Sequence, residues 1–279
     1  MIARLHTEEN GTGLNIYNPY FQDQHLNAIY LLFKNPSSEP LVEGLRKLQI
    51  AGAITAGFEQ DPKLPGLLDD CSDAVRVSGR VGMLANRNGK LWGHYQGGEG
   101  LMRAIQEKIT TARARIVVVG AGTVARTLVL ALTKSDQRPK EIVVVNRTVK
   151  KAEDLKNISP LVTVIYDLDR LNKTQGDILV NATRIGSKAE DSVFHNELIA
   201  KFTAVADVTF GVESTNLTEL GRTKNKIVVS GWDMFTHQAA VVLREVLGHE
   251  ANIQRLRYFV RLGLSGNNHG ATVAKRRLK

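Results

Sequence analysis

The sequence predicts an α/β protein built from two domains. Apolar, β-branched segments alternate with amphipathic helical patterns along most of the 279 residues, as in folds made of βαβ units. One such segment, Ile116–Val119, breaks into glycines and is followed by a helix whose apolar positions Val124, Leu128 and Leu132 recur at i, i+4 and i+8. These observations predict an N-terminal βαβ domain and a C-terminal Rossmann domain with a doubly wound parallel sheet.

The N-terminal elements are predicted by their apolar periodicity. Residues 28–33 are predicted to form a strand, and Ser37 or Ser38 can cap a helix that buries Leu41, Leu45 and Leu48. The elements that follow are a strand over 50–57, a short helix over 63–70, and a hairpin of strands 81–85 and 90–95 across Asn88-Gly89. Residues 1–24 carry little periodicity, so no element is predicted there.

The C-terminal half repeats the strand–helix alternation. A linking helix with Leu101, Ile105 and Ile109 on its apolar face leads into strand 116–119. Further strands are predicted at 142–145, 162–166, 178–180, 205–209 and 227–230, and helices at 234–247 and 251–262. This predicts domains of residues 1–103 and 104–237, with the helices of about 238–265 completing the second domain or packing back on the first.

Composition narrows the function classes. The net charge is +9, partly from the tail residues Lys275, Arg276, Arg277 and Lys279, which we expect to be frayed and solvated. Without interleaved aromatics or a groove-binding motif, an anionic small ligand explains this charge better than nucleic acid. The single cysteine, Cys71, excludes an internal disulfide. No apolar run reaches membrane-spanning length and no signal-peptide pattern is found, so we expect a cytoplasmic protein; no metal site is predicted.

The glycine turn has the G-x-G-x-x-A form of the dinucleotide fingerprint. Gly120 permits a sharp turn, Gly122 permits the backbone to approach a pyrophosphate, and Ala125 permits close helix–strand packing. The helix N-terminus offers N–H groups and partial positive charge to the phosphates. The predicted cofactor-binding residues here are Gly120, Ala121, Gly122, Thr123, Val124 and Ala125. The alternative is a tight turn in an unrelated α/β protein.

The end of the next strand indicates which nucleotide binds. An NAD site places a carboxylate there to bind the ribose 2′-hydroxyl. This chain instead has Asn146, Arg147 and Thr148, followed by Lys150 and Lys151. A guanidinium can grip a 2′-phosphate with two parallel hydrogen bonds. NADP is therefore predicted, with Asn146, Arg147, Thr148 and Lys151 as its contacts; the alternative is that these residues are only the solvated start of a helix.

Five ordered motifs across residues 116–248 resemble the shikimate dehydrogenase family. They are the glycine loop 120–126, the NADP clamp 146–152, Asn181-Ala182-Thr183-Arg184-Ile185-Gly186, Asp207-Val208-Thr209-Phe210 with Phe where the family usually has Tyr, and Gly231-Trp232-Asp233-Met234-Phe235-Thr236-His237-Gln238-Ala239. The resemblance implies an NADP-dependent dehydrogenase with a substrate-type N-terminal domain. It implies that Asn181, Ala182 and Thr183 line the cofactor, that Met234 lies near the nicotinamide and that Gln238 reaches the substrate.

The first domain departs from the family at its functional positions. Glu59 stands where the family's V-T-I-P-x-K segment has its catalytic lysine, Gly82 aligns with the substrate-binding asparagine, and Gly97 aligns with the catalytic aspartate. The serine pair that holds the shikimate carboxylate has no clear counterpart, and the family's first helix is expected to be shortened or missing between Asn18 and His25. Because acid–base groups typically contribute roughly 10²–10⁴-fold to rate, efficient shikimate oxidation is not expected.

Three functions are consistent with these residues. The first is an NADP-dependent oxidoreductase of another small hydroxy or keto acid, bound in a cleft between the domains of a monomer or homodimer. The second is a non-catalytic NADP-binding sensor or partner protein. The third is a divergent shikimate or quinate dehydrogenase whose N-terminal motifs are misaligned. The replacement acid–base candidates are Glu59 and Tyr95, with His94 and Glu99 beside them. In the competing interpretation His94 points outward and Glu59 and Glu99 are solvated; His237 is expected to be exposed.

Overall fold

The computed structural model describes residues 1–6, 11–56, 58–186, 193–210, 212 and 214–274. The chain divides into two compact units, one formed by Met1–Gln96 with the segment from Ala239 onward, the other by Gly97–Gln238. In the described part of the chain, no helix has the length and apolar character that crossing a bilayer requires.

The first unit contains a mixed sheet of six strands. These are β1 Ile2–His6, β2 Tyr30–Lys34, β3 Gly52–Ile54, β4 Asp70–Cys71, β5 Met83–Arg87 and β6 Lys90–His94, in the order β2-β1-β3-β5-β6-β4. Strand β1 lies between β2 and β3 and is parallel to both. The β5–β6 pair is antiparallel and turns at Asn88 and Gly89, with φ of 56° and 86°, so the predicted hairpin is confirmed. The predicted βαβ opening is present as β2, a helix and β3, with β1 inserted between the two strands.

The described N-terminal part of this unit contains the α-helices α1 Leu14–Asp23, α2 Ser38–Lys47 and α3 Asp73–Ser78. The predicted 63–70 helix is a single 3-10 turn, Leu64–Leu67. Helix α1 shows that a helix is present in the region where the family's first helix was expected to be shortened or missing. Its buried face consists of Ile16, Tyr17, Tyr20 and Phe21, and Tyr17 stacks on Tyr30 with ring centroids 4.8 Å apart.

The second unit contains a six-stranded sheet that is parallel throughout. Its strands are β7 Arg115–Val119, β8 Glu141–Val145, β9 Val162–Ile165, β10 Ile178–Asn181, β11 Ala204–Asp207 and β12 Ile227–Val229, in the order β12-β11-β10-β7-β8-β9. The chain runs outward from β7 to β9 and then returns to the other side of β7. This reversal is the topological switch point of a doubly wound fold, so the predicted fold class is confirmed.

Helices cover both faces of this sheet. They are α4 Gly97–Gln106, α5 Thr123–Lys134, α6 Val149–Glu153, α7 Asn196–Ala200, α8 Asn216–Thr223 and α9 Gly231–Leu247. Ile116 and Val118 pack on one face with Leu128 of α5, while Val117 and Val119 join a second core. Burial on both faces explains why the strands are continuous apolar runs without alternation. The chain continues in α10 Ile253–Ala274, which packs against α1 within the first unit. The basic residues after Ala274 lie outside the described part.

Candidate functional site

The turn between β7 and α5 is sharp at Gly120 and open at Gly122, as the glycine spacing predicts. Gly120 has φ +109°, and a Cβ there would lie 2.6 Å from Thr183 Cγ2 and 3.0 Å from the Ala182 carbonyl oxygen. Its N–H donates to the Val145 carbonyl oxygen at 2.8 Å, which places the turn beside the end of β8. A Cβ on Gly122, in contrast, would project into open space. Gly120 is therefore required by the fold, whereas Gly122 leaves room for a ligand.

The N-terminus of α5 is open to an anion. Gly122 is the N-cap, and no side chain of the described chain caps the first turn. Ala125 is completely buried against the sheet, as the fingerprint requires. Uncapped N–H groups and the helix dipole together make such a helix start favourable for phosphate.

A positively charged surface follows β8. Arg147, Lys150 and Lys151 are exposed, and these three side chains make no hydrogen bond or ion pair with other described residues. The Asn146 side chain donates to the Thr148 carbonyl oxygen at 2.9 Å and so shapes the turn. The carboxyl ends of β7 and β8 are adjacent, so these cations lie beside the glycine turn. This arrangement suits a phosphate on the ribose of a dinucleotide.

A buried polar network joins the carboxyl ends of β10 and β11. Asn181 is completely buried, and its amide nitrogen donates to Asp207 at 3.0 Å and to the Ile185 carbonyl oxygen at 2.9 Å. Asp207 also accepts from the Thr209 N–H at 2.8 Å and from the Thr215 hydroxyl at 2.9 Å. The described hydrogen bonds of the Asn181 side chain are all internal, so this side chain holds the two loops together.

These two loops line a pocket of about 440 Å³. The lining residues are Ala182, Thr183, Arg184, Val208, Thr209 and Phe210. Phe210 stacks on Phe235 of α9, with ring centroids 4.7 Å apart. The Thr209 hydroxyl is buried and finds no hydrogen-bond partner among the described residues. The described lining of the pocket therefore combines an apolar wall with the unsatisfied Thr209 hydroxyl and the cation of Arg184.

The start of α9 lies next to this pocket. A Cβ on Gly231 would lie 2.0 Å from the Thr209 carbonyl oxygen, so the helix begins in direct contact with the loop after β11. Met234 is 5% exposed and belongs to the core of the second unit. Gln238 is half-buried, and its Cγ is 2.5 Å from where a Cβ on Gly100 would lie, so its stem packs on α4.

His237 differs from the expectation that it is exposed. It is 6% exposed, and its Nε2 lies 2.9 Å from a Glu107 carboxylate oxygen. The expectation was wrong because α4 covers this face of α9, and one sequence gives no sign of which helix will do so. His237 is therefore a packing residue of the second unit.

Glu59 and Tyr95 both lie in the first unit. Tyr95 is partly buried, and burial is the main cause that raises the pKa of its phenol well above the usual value of 10. The Glu59 carboxylate raises this pKa further, while Arg80 acts in the opposite direction. Tyr95 is thus a neutral phenol, so it can donate a hydrogen bond but is a poor base near neutral pH.

His94 and Glu99, the two additional candidates, have structural roles. His94 is 9% exposed, which corrects the expectation that it points outward. It stacks on Trp92 at 5.3 Å, and its Nδ1 lies 2.8 Å from the Ser72 hydroxyl. Glu99 forms an ion pair with Arg103 one turn along α4, at 2.8 Å.

Close contacts explain two glycines, Gly82 at one of the altered positions and Gly98 next to the altered position Gly97. A Cβ on Gly82 would lie 2.4 Å from Gln96 Oε1, so the Gln96 carboxamide occupies the space beside it. A Cβ on Gly98 would lie 2.1 Å from the Thr127 carbonyl carbon, so α4 approaches the backbone of α5 too closely for a side chain. Sequence reasoning assigned no role to Gln96, Thr209 or Arg184, although Thr209 and Arg184 fall within the motifs 207–210 and 181–186.

The fold and the glycine turn define a dinucleotide-binding α/β protein, and comparison with known proteins specifies the family. A family model described as shikimate/quinate 5-dehydrogenase matches residues 103–210. The shikimate dehydrogenase (NADP(+)) of Geobacillus sp. (strain WCH70) is 30% identical over 255 residues, which cover 88% of this chain and 91% of the relative. The chain belongs to the shikimate dehydrogenase family of oxidoreductases.

Solved structures show the same fold. The shikimate 5-dehydrogenase-like protein HI0607 superposes with a TM-score of 0.80 at 22% identity, covering 94% of this chain and 97% of that one. The 5-ketofructose reductase of Gluconobacter sp. strain CHM43 superposes with a TM-score of 0.78 at 21% identity, covering 94% of this chain and 98% of that one. Proteins named for different substrates therefore share this fold.

Proposed function

We propose that this protein is an NADP-dependent oxidoreductase that acts on a small hydroxy or keto acid other than shikimate. The observations that carry the proposal are an intact dinucleotide turn in one unit and, in the other, Glu59 together with the neutral phenol of Tyr95. Glu59 stands at the position of the family's catalytic lysine. An ammonium donor has thus been replaced by a carboxylate beside a protonated phenol.

The cofactor assignment is supported by how the residues fit NADP. Open space at Gly122, the uncapped start of α5 and the exposed Arg147 and Lys151 suit the pyrophosphate and the 2′-phosphate respectively. The proposed cofactor-binding residues are Gly120, Ala121, Gly122, Thr123, Val124, Ala125, Asn146, Arg147, Thr148, Lys151, Asn181, Ala182, Thr183 and Met234. Asn181 and Met234 act through packing and loop position, because both are buried. Bound NADP supplies the ring that accepts or returns a hydride.

The proton is handled by the chain's own residues. In the direction of oxidation, the Glu59 carboxylate accepts the proton that the substrate hydroxyl loses, and the Tyr95 Oη donates a hydrogen bond to the same oxygen. In the direction of reduction, the protonated Glu59 returns the proton. The raised pKa of Tyr95 keeps its phenol protonated, so this residue positions and polarises while Glu59 transfers the proton. Gln238 is proposed to contact the substrate.

A substrate screen tests the proposal. Reduction of NADP⁺ is followed at 340 nm with a panel of hydroxy acids that includes shikimate and quinate, and NADPH oxidation is followed with the corresponding keto acids. Turnover of an acid other than shikimate or quinate is expected, and Glu59→Gln should lower kcat by roughly 10²-fold or more. The matched control is Glu43→Gln, which removes an exposed carboxylate that forms an ion pair with Lys47 on α2 and should retain full activity.

Three results would contradict the proposal, each in a different way. A wholly inactive panel, with NADPH still bound, would indicate the non-catalytic NADP-binding protein. Efficient shikimate or quinate oxidation would indicate that the altered positions have been misjudged. Failure to bind NADPH, or tighter binding of NADH, would contradict the cofactor assignment at Arg147.

A further inference from the structure

We propose that Arg184 binds the carboxylate of the substrate, in the pocket at the ends of β10 and β11. The inference rests on the proposed function, because it names the group that recognises the acid. Among the described residues that line this pocket of about 440 Å³, Arg184 is the charged one. Its side chain is exposed and makes no hydrogen bond or ion pair with the described residues.

The sheet order places the pocket on the reacting side of the crevice. The glycine turn follows β7, and the cations proposed for the 2′-phosphate follow β8 on one side of it. Residues 182–184 and 208–210 follow β10 and β11 on the other side. A dinucleotide lies across the switch point of such a sheet. With its phosphorylated ribose on the β8 side, its nicotinamide lies on the β10 side, where a substrate must also bind.

The loop that carries Arg184 is held in place on both sides of this residue. The Thr183 hydroxyl donates to Asn181 Oδ1 at 2.7 Å and accepts from the Ile185 N–H at 3.0 Å. Asn181 is itself fixed by Asp207 at 3.0 Å. Because the backbone is held in this way, the point from which the Arg184 side chain extends is fixed. Less conformational entropy is therefore lost when the guanidinium binds a ligand.

The remaining lining favours a carboxylate attached to a small organic body. Val208 and the Phe210–Phe235 stack provide an apolar wall, and a guanidinium binds a carboxylate through two parallel hydrogen bonds. The unsatisfied Thr209 hydroxyl offers a further partner for a hydroxyl or carboxylate oxygen. The dinucleotide pyrophosphate is the other available oxyanion, but the start of α5 already provides its N–H groups.

Calorimetric titration of the full-length, NADPH-saturated protein tests the assignment without requiring turnover. The probes are lactate, glycerate, shikimate, quinate and gluconate, each compared with its uncharged methyl ester. At least one acid should bind the wild type, and its ester should bind about tenfold more weakly or worse. Arg184→Gln should raise the Kd of that acid by about tenfold or more and leave the Kd of its ester unchanged. Arg184→Lys should retain part of the difference in affinity between the acid and the ester. The Kd of NADPH should change by less than about twofold in both variants.

Arg113→Gln is the matched control. Arg113 is an exposed arginine two residues before β7, so it lies at the amino ends of the strands, whereas the pocket lies at their carboxyl ends. The inference is overturned if no acid binds the wild type, if acid and ester bind alike, or if Arg184→Gln binds the acid as the wild type does. It is also overturned if Arg184→Gln weakens the binding of NADPH and not that of the acid, because this result would assign Arg184 to the cofactor phosphates. An acid that binds through Arg184 without being turned over would contradict the proposed reaction and leave this assignment intact.

Discussion

Alanine substitutions at Gly120 and Gly122 should separate a folding role from a binding role within one turn. Gly120→Ala places a side chain on a backbone with φ +109°, 2.6 Å from Thr183 Cγ2 and 3.0 Å from the Ala182 carbonyl oxygen. Strained backbone of this kind costs about 1–3 kcal/mol, and overpacking costs about another 1–3 kcal/mol. The total of roughly 2–6 kcal/mol should lower Tm by at least about 4 °C, at about 2–4 °C per kcal/mol.

Gly122→Ala should behave in the opposite way. Its Cβ projects into open space from an extended backbone with φ −81°, so Tm should stay within about 2 °C of the wild type. The added methyl group occupies the space proposed for the pyrophosphate, so the Kd of NADPH should rise by about tenfold or more. The assays are differential scanning calorimetry without ligand and NADPH fluorescence titration. Equal losses of stability in the two variants, or unchanged NADPH affinity in Gly122→Ala, would refute the assignment of the two roles.

Three further predictions concern charge and buried polarity. Arg147→Gln should reduce the preference for NADPH over NADH by about 10–100-fold, measured as the ratio of the two Kd values; an unchanged ratio would remove Arg147 from the clamp. Since the folded pKa of Tyr95 lies above its usual value of 10, the native protein should lose stability as pH rises above 10. Tyr95→Phe should flatten that alkaline loss in Tm, and an unaltered slope would contradict the burial assigned to the phenol. Asp207→Ala should cost about 2–4 kcal/mol, because it leaves the Thr209 N–H and the Thr215 hydroxyl without their acceptor; a urea midpoint equal to the wild type would contradict this.

Most of the second unit was predictable from the sequence, because its information is local. Doubly buried strands are continuous β-branched runs such as Val143–Val145, and the glycine turn has its own spacing. The position of β1 was not predictable, since its central place comes from two parallel neighbours that lie far along the chain. Helix α1 was missed because Pro19 interrupts its pattern and its apolar face consists largely of tyrosines.

The chemistry of the candidate site was less predictable than the fold for a related reason. Arg147 could be assigned because its position relative to a strand end is diagnostic. Burial of His94 and His237 depends on which distant elements cover them, and so does the space that Gln96 fills beside Gly82. Such facts arise from tertiary contacts that no spacing rule encodes. Glu59 and Tyr95 lie between these cases, since alignment suggested both residues, whereas the burial that keeps the phenol protonated depends on tertiary contacts.

The carboxylate of Asp207 ties three segments of the chain to one point. Asn181 at the end of β10, the Thr209 N–H in the loop after β11 and the Thr215 hydroxyl at the start of α8 all donate to it. Neither pocket loop can then open without either breaking a hydrogen bond to this anion or carrying the other loop with it. The two walls of the pocket are thus mechanically coupled. A ligand that displaces Thr209 also shifts residues 181–185, the segment that carries Arg184.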